Sequence, residues 1–302
     1  MHSKKTVIVI AGPTAVGKTS VAIQVAKRFD TEIISADSRQ CYKEMNIGVA
    51  RPSEDELNQV RHHFIASHSI QEKITAVGFE QFALETTENI FKEKNIAVMV
   101  GGTGLYLKAF CEGLDEIPEV PESIRNAINE EYKKEGLVWL QEQVKQFDPK
   151  FFAEGENQNP HRLMRAFEVY QATGKSIQEF KKGNKKNRPF NILKIALELP
   201  KEQLHQNINT RVDKMVEHGL TEEVRSLIEY KHLPALQTVG YKELFDYFDD
   251  KIELELAVEL IKQNTRQYAK RQLTWFKKDK EYKWFLATSL DSLCGHLKQK
   301  TA

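Results

Sequence analysis

The stretch Gly12-Pro13-Thr14-Ala15-Val16-Gly17-Lys18-Thr19 has the make-up of an anion cradle. Its glycines let backbone N–H groups converge on a phosphate, Lys18 neutralises that phosphate, and the Thr19 hydroxyl is a hard oxygen suited to Mg²⁺. This chemistry requires a strand before the loop and a helix after it. A helix N-terminus adds about half a positive charge at the same point. The flanks comply, with an apolar run from Thr6 to Ala11 and apolar residues at helical spacing from Ser20 to Phe29. A phosphorylated ligand follows from this pattern, without its identity.

Three further positions carry chemistry. Asp37 and Ser38 end a second apolar segment, Glu32 to Ser38, and ligands of open α/β sheets sit beyond the carboxyl ends of strands. There, the Asp37 carboxylate either holds Mg²⁺ indirectly, accepts a proton from a nucleophile, or caps the turn through Ser38 to Tyr42. The run Ile96 to Val100 reads as a strand buried on both faces and ends in Gly101-Gly102-Thr103. Many phosphate-loop hydrolases place an Mg²⁺-binding Asp at that point; here Thr103 offers a hydroxyl to a leaving oxygen or simply caps the next helix. Arg211 falls on a helix from Leu204 to His218, where an arginine can reach over a phosphate. The pair His62-His63 is not read as a metal site, since strand neighbours point to opposite faces.

These elements predict an α/β fold, a phosphate-loop parallel sheet flanked by helices. The chain has 302 residues, 40% of them hydrophobic and 29% charged, with a net charge of +1. That near-neutral balance excludes a uniformly basic surface, so any nucleic-acid contact must be local. The core is expected over residues 1–113 and 190–302. Residues 114–189 lack strand alternation and read as an inserted all-helical module, entered through Pro118 and Pro121. The module ends in Lys175, Lys181, Lys182, Lys185, Lys186 and Arg188 against the single Glu179, either solvated surface or a phosphate-backbone contact. Lys262, Arg266 and Lys270 repeat along one helical face with Tyr268, Trp275 and Phe276 interleaved, which suits backbone phosphates and unstacked bases. Three widely spaced cysteines suit reduced thiols. Met1 to Lys5 runs directly into the first strand and no long apolar run follows, so a cytoplasmic protein without membrane contact is expected. The segment past Thr288 carries no signal.

Taken together, the chain resembles the tRNA dimethylallyltransferase family, also called tRNA isopentenyltransferase. The matching stretches are Gly12 to Thr19, Ser35 to Tyr42, Ile47 to Pro52, His62 to Phe64, Gly101 to Ala109, Asn159 to Tyr170 with Thr173 to Ser176, Arg211 to Leu220, Val239 to Leu244 and Thr265 to Phe276. They run in the family's order. Departures are Val49 and Arg51, where the family commonly has Thr and Lys, and Gln158 to His161, where Asn-Asp commonly precedes the arginine. The resemblance implies transfer of a dimethylallyl group from its diphosphate to the exocyclic amine of the adenine 3′ of the anticodon. It also implies roles: Lys18, Thr19 and Arg211 with the diphosphate and Mg²⁺, Asp37 as the base, Thr103 at the chemical centre. Asp37, Ser38, Arg39, Gln40, Thr103, Arg125, Gln158, Asn159, Pro160, His161 and Arg162 would contact tRNA. A monomer is expected. The alternative is a small-molecule or nucleotide kinase binding ATP on the same core.

Overall fold

The computed structural model describes residues 5–155 and 157–301; Met1 to Lys4, part of the reading of the amino end, lie outside the described residues. The chain divides into two compact units, Met1–Cys111 with Asn187–Ala302, and Glu112–Lys186.

The first unit is built on one six-stranded, wholly parallel sheet. Its strands are β1 (Thr6–Ala11), β2 (Ile33–Ser35), β3 (His62–His63), β4 (Ile96–Gly101), β5 (Asn191–Glu198) and β6 (Lys283–Leu286), in spatial order β3-β2-β4-β1-β5-β6. This is a sheet of the P-loop NTPase-like kind. β1 lies at its heart, with Thr6 beside Ile96 on one side and Asn191 on the other. Every β1 residue is buried because both faces are covered. Val7, Val9 and Ala11 join a core with Phe79, Phe110 and Phe276; Ile8 and Ile10 join one with Val21, Ile208 and Leu293. Alternation along a single strand thus feeds two helical layers. A parallel sheet places all its strand ends at one edge, and the order changes direction between β1 and β4, where the phosphate loop and the Gly101-Gly102-Thr103 turn emerge side by side.

Sequence periodicity did not mark β6 or the helix Leu290–Thr301, whose Leu293, Cys294 and Leu297 are buried. β6 is four residues with one buried, too short for a period-2 signal. Cys41, Cys111 and Cys294 are buried thiols. Among the described residues no helix is long and apolar enough to cross a membrane.

The second unit is helical: Glu122–Phe147, broken at Gly136, then Pro149–Glu154, Pro160–Thr173 and Ile177–Phe180. Leu140, Val144, Leu163, Phe167 and Val169 form its own core. Its two ends are joined, since the Lys186 N–H donates to the Glu112 carbonyl at 2.7 Å.

Two basic groupings need correction. Arg188 is not part of a solvated lysine run; its side chain, 9% exposed, pairs with Glu80 at 2.7 Å and donates to the Ala109 and Phe110 carbonyls. Such a buried cation is stable only when its donors are met, and these partners meet them. The expected cationic face of the helix Leu254–Lys278 is likewise partly internal. Lys262 pairs with Asp213 at 2.8 Å and with Glu259, and Arg266 donates to Asn209 at 2.6 Å.

Candidate active site

The loop after β1 turns into the helix Lys18–Arg28 through Gly17, in left-handed backbone. The first-turn N–H groups of that helix lack carbonyl partners and face an anion site. A cavity of about 590 Å³ opens there. Thr14, Lys18 and Thr19 line it from the loop, Asp37 to Gln40 from beyond β2, and Arg211 from the helix Lys201–Glu217. Tyr268 and Gln272 complete the wall from the helix Leu254–Lys278.

The electrostatics fit an anion that is brought in. Burial pushes the Lys18 amine down to about 7, a trend that Asp37 opposes and Arg211 reinforces. Its Nζ donates to the Pro13 carbonyl at 2.6 Å. Burial also lowers Arg211, which Glu56 offsets, and the guanidinium reaches the Thr14 hydroxyl at 3.4 Å. Two cations converging on one loop repel until a multivalent anion lies between them.

Asp37 does two things at once. Its Oδ1 accepts the N–H groups of Arg39 at 2.9 Å and Gln40 at 3.2 Å, which is the capping role, while the residue also lines the cavity. The cap holds the carboxylate at the mouth of the site. Thr103, partly exposed at the turn after β4, is tied to the same turn: its hydroxyl accepts the Ser38 N–H at 3.0 Å and donates to Ser38 Oγ at 3.3 Å. A Cβ on Gly101 would lie 2.1 Å from the Ala36 carbonyl oxygen, so only glycine lets the two turns meet.

The segment from Gly48 to Pro52 forms another wall. Gln40 Nε2 donates to the Ala50 carbonyl at 2.9 Å, and Arg51 donates to the carbonyls of Tyr42, Lys43 and Met45. Arg51, a departure from the family pattern, is therefore a clasp for its own loop. Glu223 accepts the N–H groups of Asn46, Ile47 and Gly48 at 3.1, 2.7 and 3.0 Å and the Tyr241 hydroxyl at 2.6 Å. Sequence reasoning missed Glu223 and Gln272, because a carboxylate or amide on a helix looks solvated until its distant partners are known. Tyr241, in the turn before the helix Lys242–Phe248, is fully buried.

His62 and His63 do face apart: His62 lines the cavity with Nδ1 on the Val60 carbonyl at 2.8 Å, and His63 meets Glu32 at 2.6 Å. The remaining expected RNA contacts lie in the helical unit, not with Asp37 to Gln40 in the sheet unit. Arg125 pairs with Glu168 at 3.5 Å. Asn159 caps the helix Pro160–Thr173 by accepting the N–H groups of His161 and Arg162, with Pro160 in its first turn, and Gln158 donates to Asn157 at 3.5 Å.

Comparison with known proteins bears directly on this cavity. The family model described as IPP transferase matches residues 40–279. The tRNA dimethylallyltransferase of Christiangramia forsetii is 49% identical over 276 residues, covering 91% of each chain. The full-length tRNA isopentenylpyrophosphate transferase of Bacillus halodurans superposes with a TM-score of 0.73 at 33% identity, covering 99% of this chain and 97% of that one. A eukaryotic dimethylallyltransferase acting on tRNA gives a TM-score of 0.76 at 28% identity, covering 98% of this chain and 77% of that one. With a family model matched over residues 40–279 and relatives of that kind along nearly its whole length, the chain belongs to the IPP transferase family, the tRNA dimethylallyltransferases.

Proposed function

We propose that the chain transfers a dimethylallyl group from dimethylallyl diphosphate to the exocyclic amine of the adenine immediately 3′ of the anticodon in tRNA, releasing diphosphate. The observation that carries this reading is one cavity lined both by an anion cradle with two converging cations and by the capped carboxylate of Asp37. The amine nitrogen attacks the allylic carbon, the carbon–oxygen bond to diphosphate breaks, and Asp37 takes the amine proton. Negative charge grows on the leaving diphosphate, so cations already in place lower the barrier. Lys18, Arg211 and the loop N–H groups are those cations and donors. An aromatic amine is a poor nucleophile, and removing its proton as the bond forms contributes about 10²- to 10⁴-fold. Thr103, bonded to Ser38 on the Asp37 turn, touches the substrate at the chemical centre.

Mg²⁺ fits the donors present, since the Thr19 hydroxyl and the Asp37 carboxylate are hard oxygens on the same cavity wall. Thr19 would hold it together with diphosphate oxygens, and the ion would neutralise part of the leaving group's charge. The target adenine must leave its stack to enter the cavity, at a cost of a few kcal/mol that stacking and phosphate contacts offset. Arg39 and Gln40 at the mouth, and Arg125 with Gln158 to Arg162 in the helical unit Glu112–Lys186, supply RNA contacts. The protein acts as a monomer in this reading, in the cytoplasm where tRNA is used.

The test is direct. Purified protein, Mg²⁺, dimethylallyl diphosphate and an unmodified anticodon stem-loop should yield RNA carrying one dimethylallyl group on that adenine, read by mass spectrometry of its nucleosides. Cleavage of ATP with the RNA unaltered would instead establish the kinase alternative.

A further inference from the structure

The front of the phosphate loop is already engaged within the chain. Pro13 has no N–H to donate, and its carbonyl accepts from Lys18 at 2.6 Å. The Thr14 N–H donates to Gln272 Oε1 at 2.8 Å, and the Thr14 hydroxyl accepts from Arg211 at 3.4 Å. Gln272 is buried, and its Nε2 donates to the Gly102 carbonyl at 2.9 Å. Its seat is tight: a Cβ on Gly102 would lie 2.2 Å from that nitrogen. One side-chain amide therefore spans the gap from the cradle to the turn after β4, with both polar ends satisfied.

In phosphate loops of this pattern, backbone N–H groups cradle the inner phosphates while the lysine extends toward an outer one. Here the front donors are withdrawn, one by the chemistry of proline and one by Gln272. What is left are the N–H groups on the helix side, of which those of Lys18 and Thr19 belong to the unpaired first turn. We infer that Gln272 sets the length of the phosphate chain that the site accepts. By occupying the Thr14 N–H and filling the space beside Gly102, it withholds the position of a third phosphate and confines the cradle to a diphosphate. Pushing the amide aside would leave it and the Gly102 carbonyl unpaired in a buried setting, which a triphosphate must overcome before it gains any contact. Discrimination against nucleoside triphosphates thereby arises from a helix some 250 residues distant in the chain, with the loop pattern itself unchanged. The inference rests on the reading of the cavity as a diphosphate site.

Isothermal titration of the whole chain with inorganic diphosphate and with inorganic triphosphate, at one free Mg²⁺ concentration, tests it. The native protein should prefer diphosphate. Gln272→Met, similar in length without the hydrogen bonds, and Gln272→Ala should tighten triphosphate by about tenfold while diphosphate affinity holds. An unchanged ratio in Gln272→Met and Gln272→Ala overturns the inference. So does a parallel loss of both anions, which would make Gln272 a brace for the loop and no more. Failure of the native chain to bind diphosphate would instead remove the diphosphate reading of the site.

Discussion

Asp37 carries two loads on one carboxylate, and that constrains how its chemistry is probed. Removing the side chain would also release the Arg39 and Gln40 N–H groups. Asn retains an oxygen that can accept those bonds but cannot take a proton. Asp37→Asn should therefore lower turnover by about 10²- to 10⁴-fold with little change in RNA affinity; unchanged single-turnover rates would remove the general-base role. Lys18 gives a second residue-scale expectation. Its amine stands at about 7 in the folded chain against an ordinary 10.5, because burial disfavours the charge. The sign follows: across that window the unfolded chain binds more protons, so the ligand-free protein gains stability as pH rises from about 7 to about 10.5. A diphosphate reverses the preference by stabilising the ammonium. Its binding in that window should take up close to one proton at Lys18, read as a dependence of titration heat on buffer ionisation enthalpy. Lys18→Arg, charged throughout, should lose that uptake.

At the scale of elements, the site depends on turns that meet at the sheet edge. The end of β4 packs on the turn after β2 with no room for a methyl group, as the Gly101 approach to Ala36 shows. Gly101→Ala should destabilise the protein by about 1–3 kcal/mol through overpacking, and should lower turnover by shifting Asp37. A native thermal midpoint with native turnover would show that the turns are not in that contact. The apolar runs made β1 and β4 legible from sequence, since each is long and buried in a regular pattern. β6 and the helix after it were not, being short or only partly buried. The phosphate loop was legible for a different reason: its chemistry is local, and neighbours in sequence are neighbours in space.

For the whole molecule, the charge that reaches RNA is less than the sequence count implies. Arg188, Lys262 and Arg266 are used internally. RNA affinity should still fall steeply with salt, because several phosphates must be met. A site with a few such contacts loses about tenfold or more between about 50 and 200 mM salt. A flat dependence in a filter-binding or anisotropy titration would count against the basic groups at both the cavity mouth and the helical unit.

By itself, the order of residues determined the phosphate loop and the parallel α/β core through short-range pattern and spacing, and the family through resemblance of its motifs. Only the tertiary structure decided which polar groups face the cavity and which are consumed in holding it. Thr103 proved to bond the Ser38 turn, Glu223 to clasp a loop far away in the chain, and Gln272 to bond the front of the cradle. The reason is physical: a buried hydrogen bond is decided by the partner that folding brings within about 3 Å, and nothing in the local sequence of either partner specifies the other.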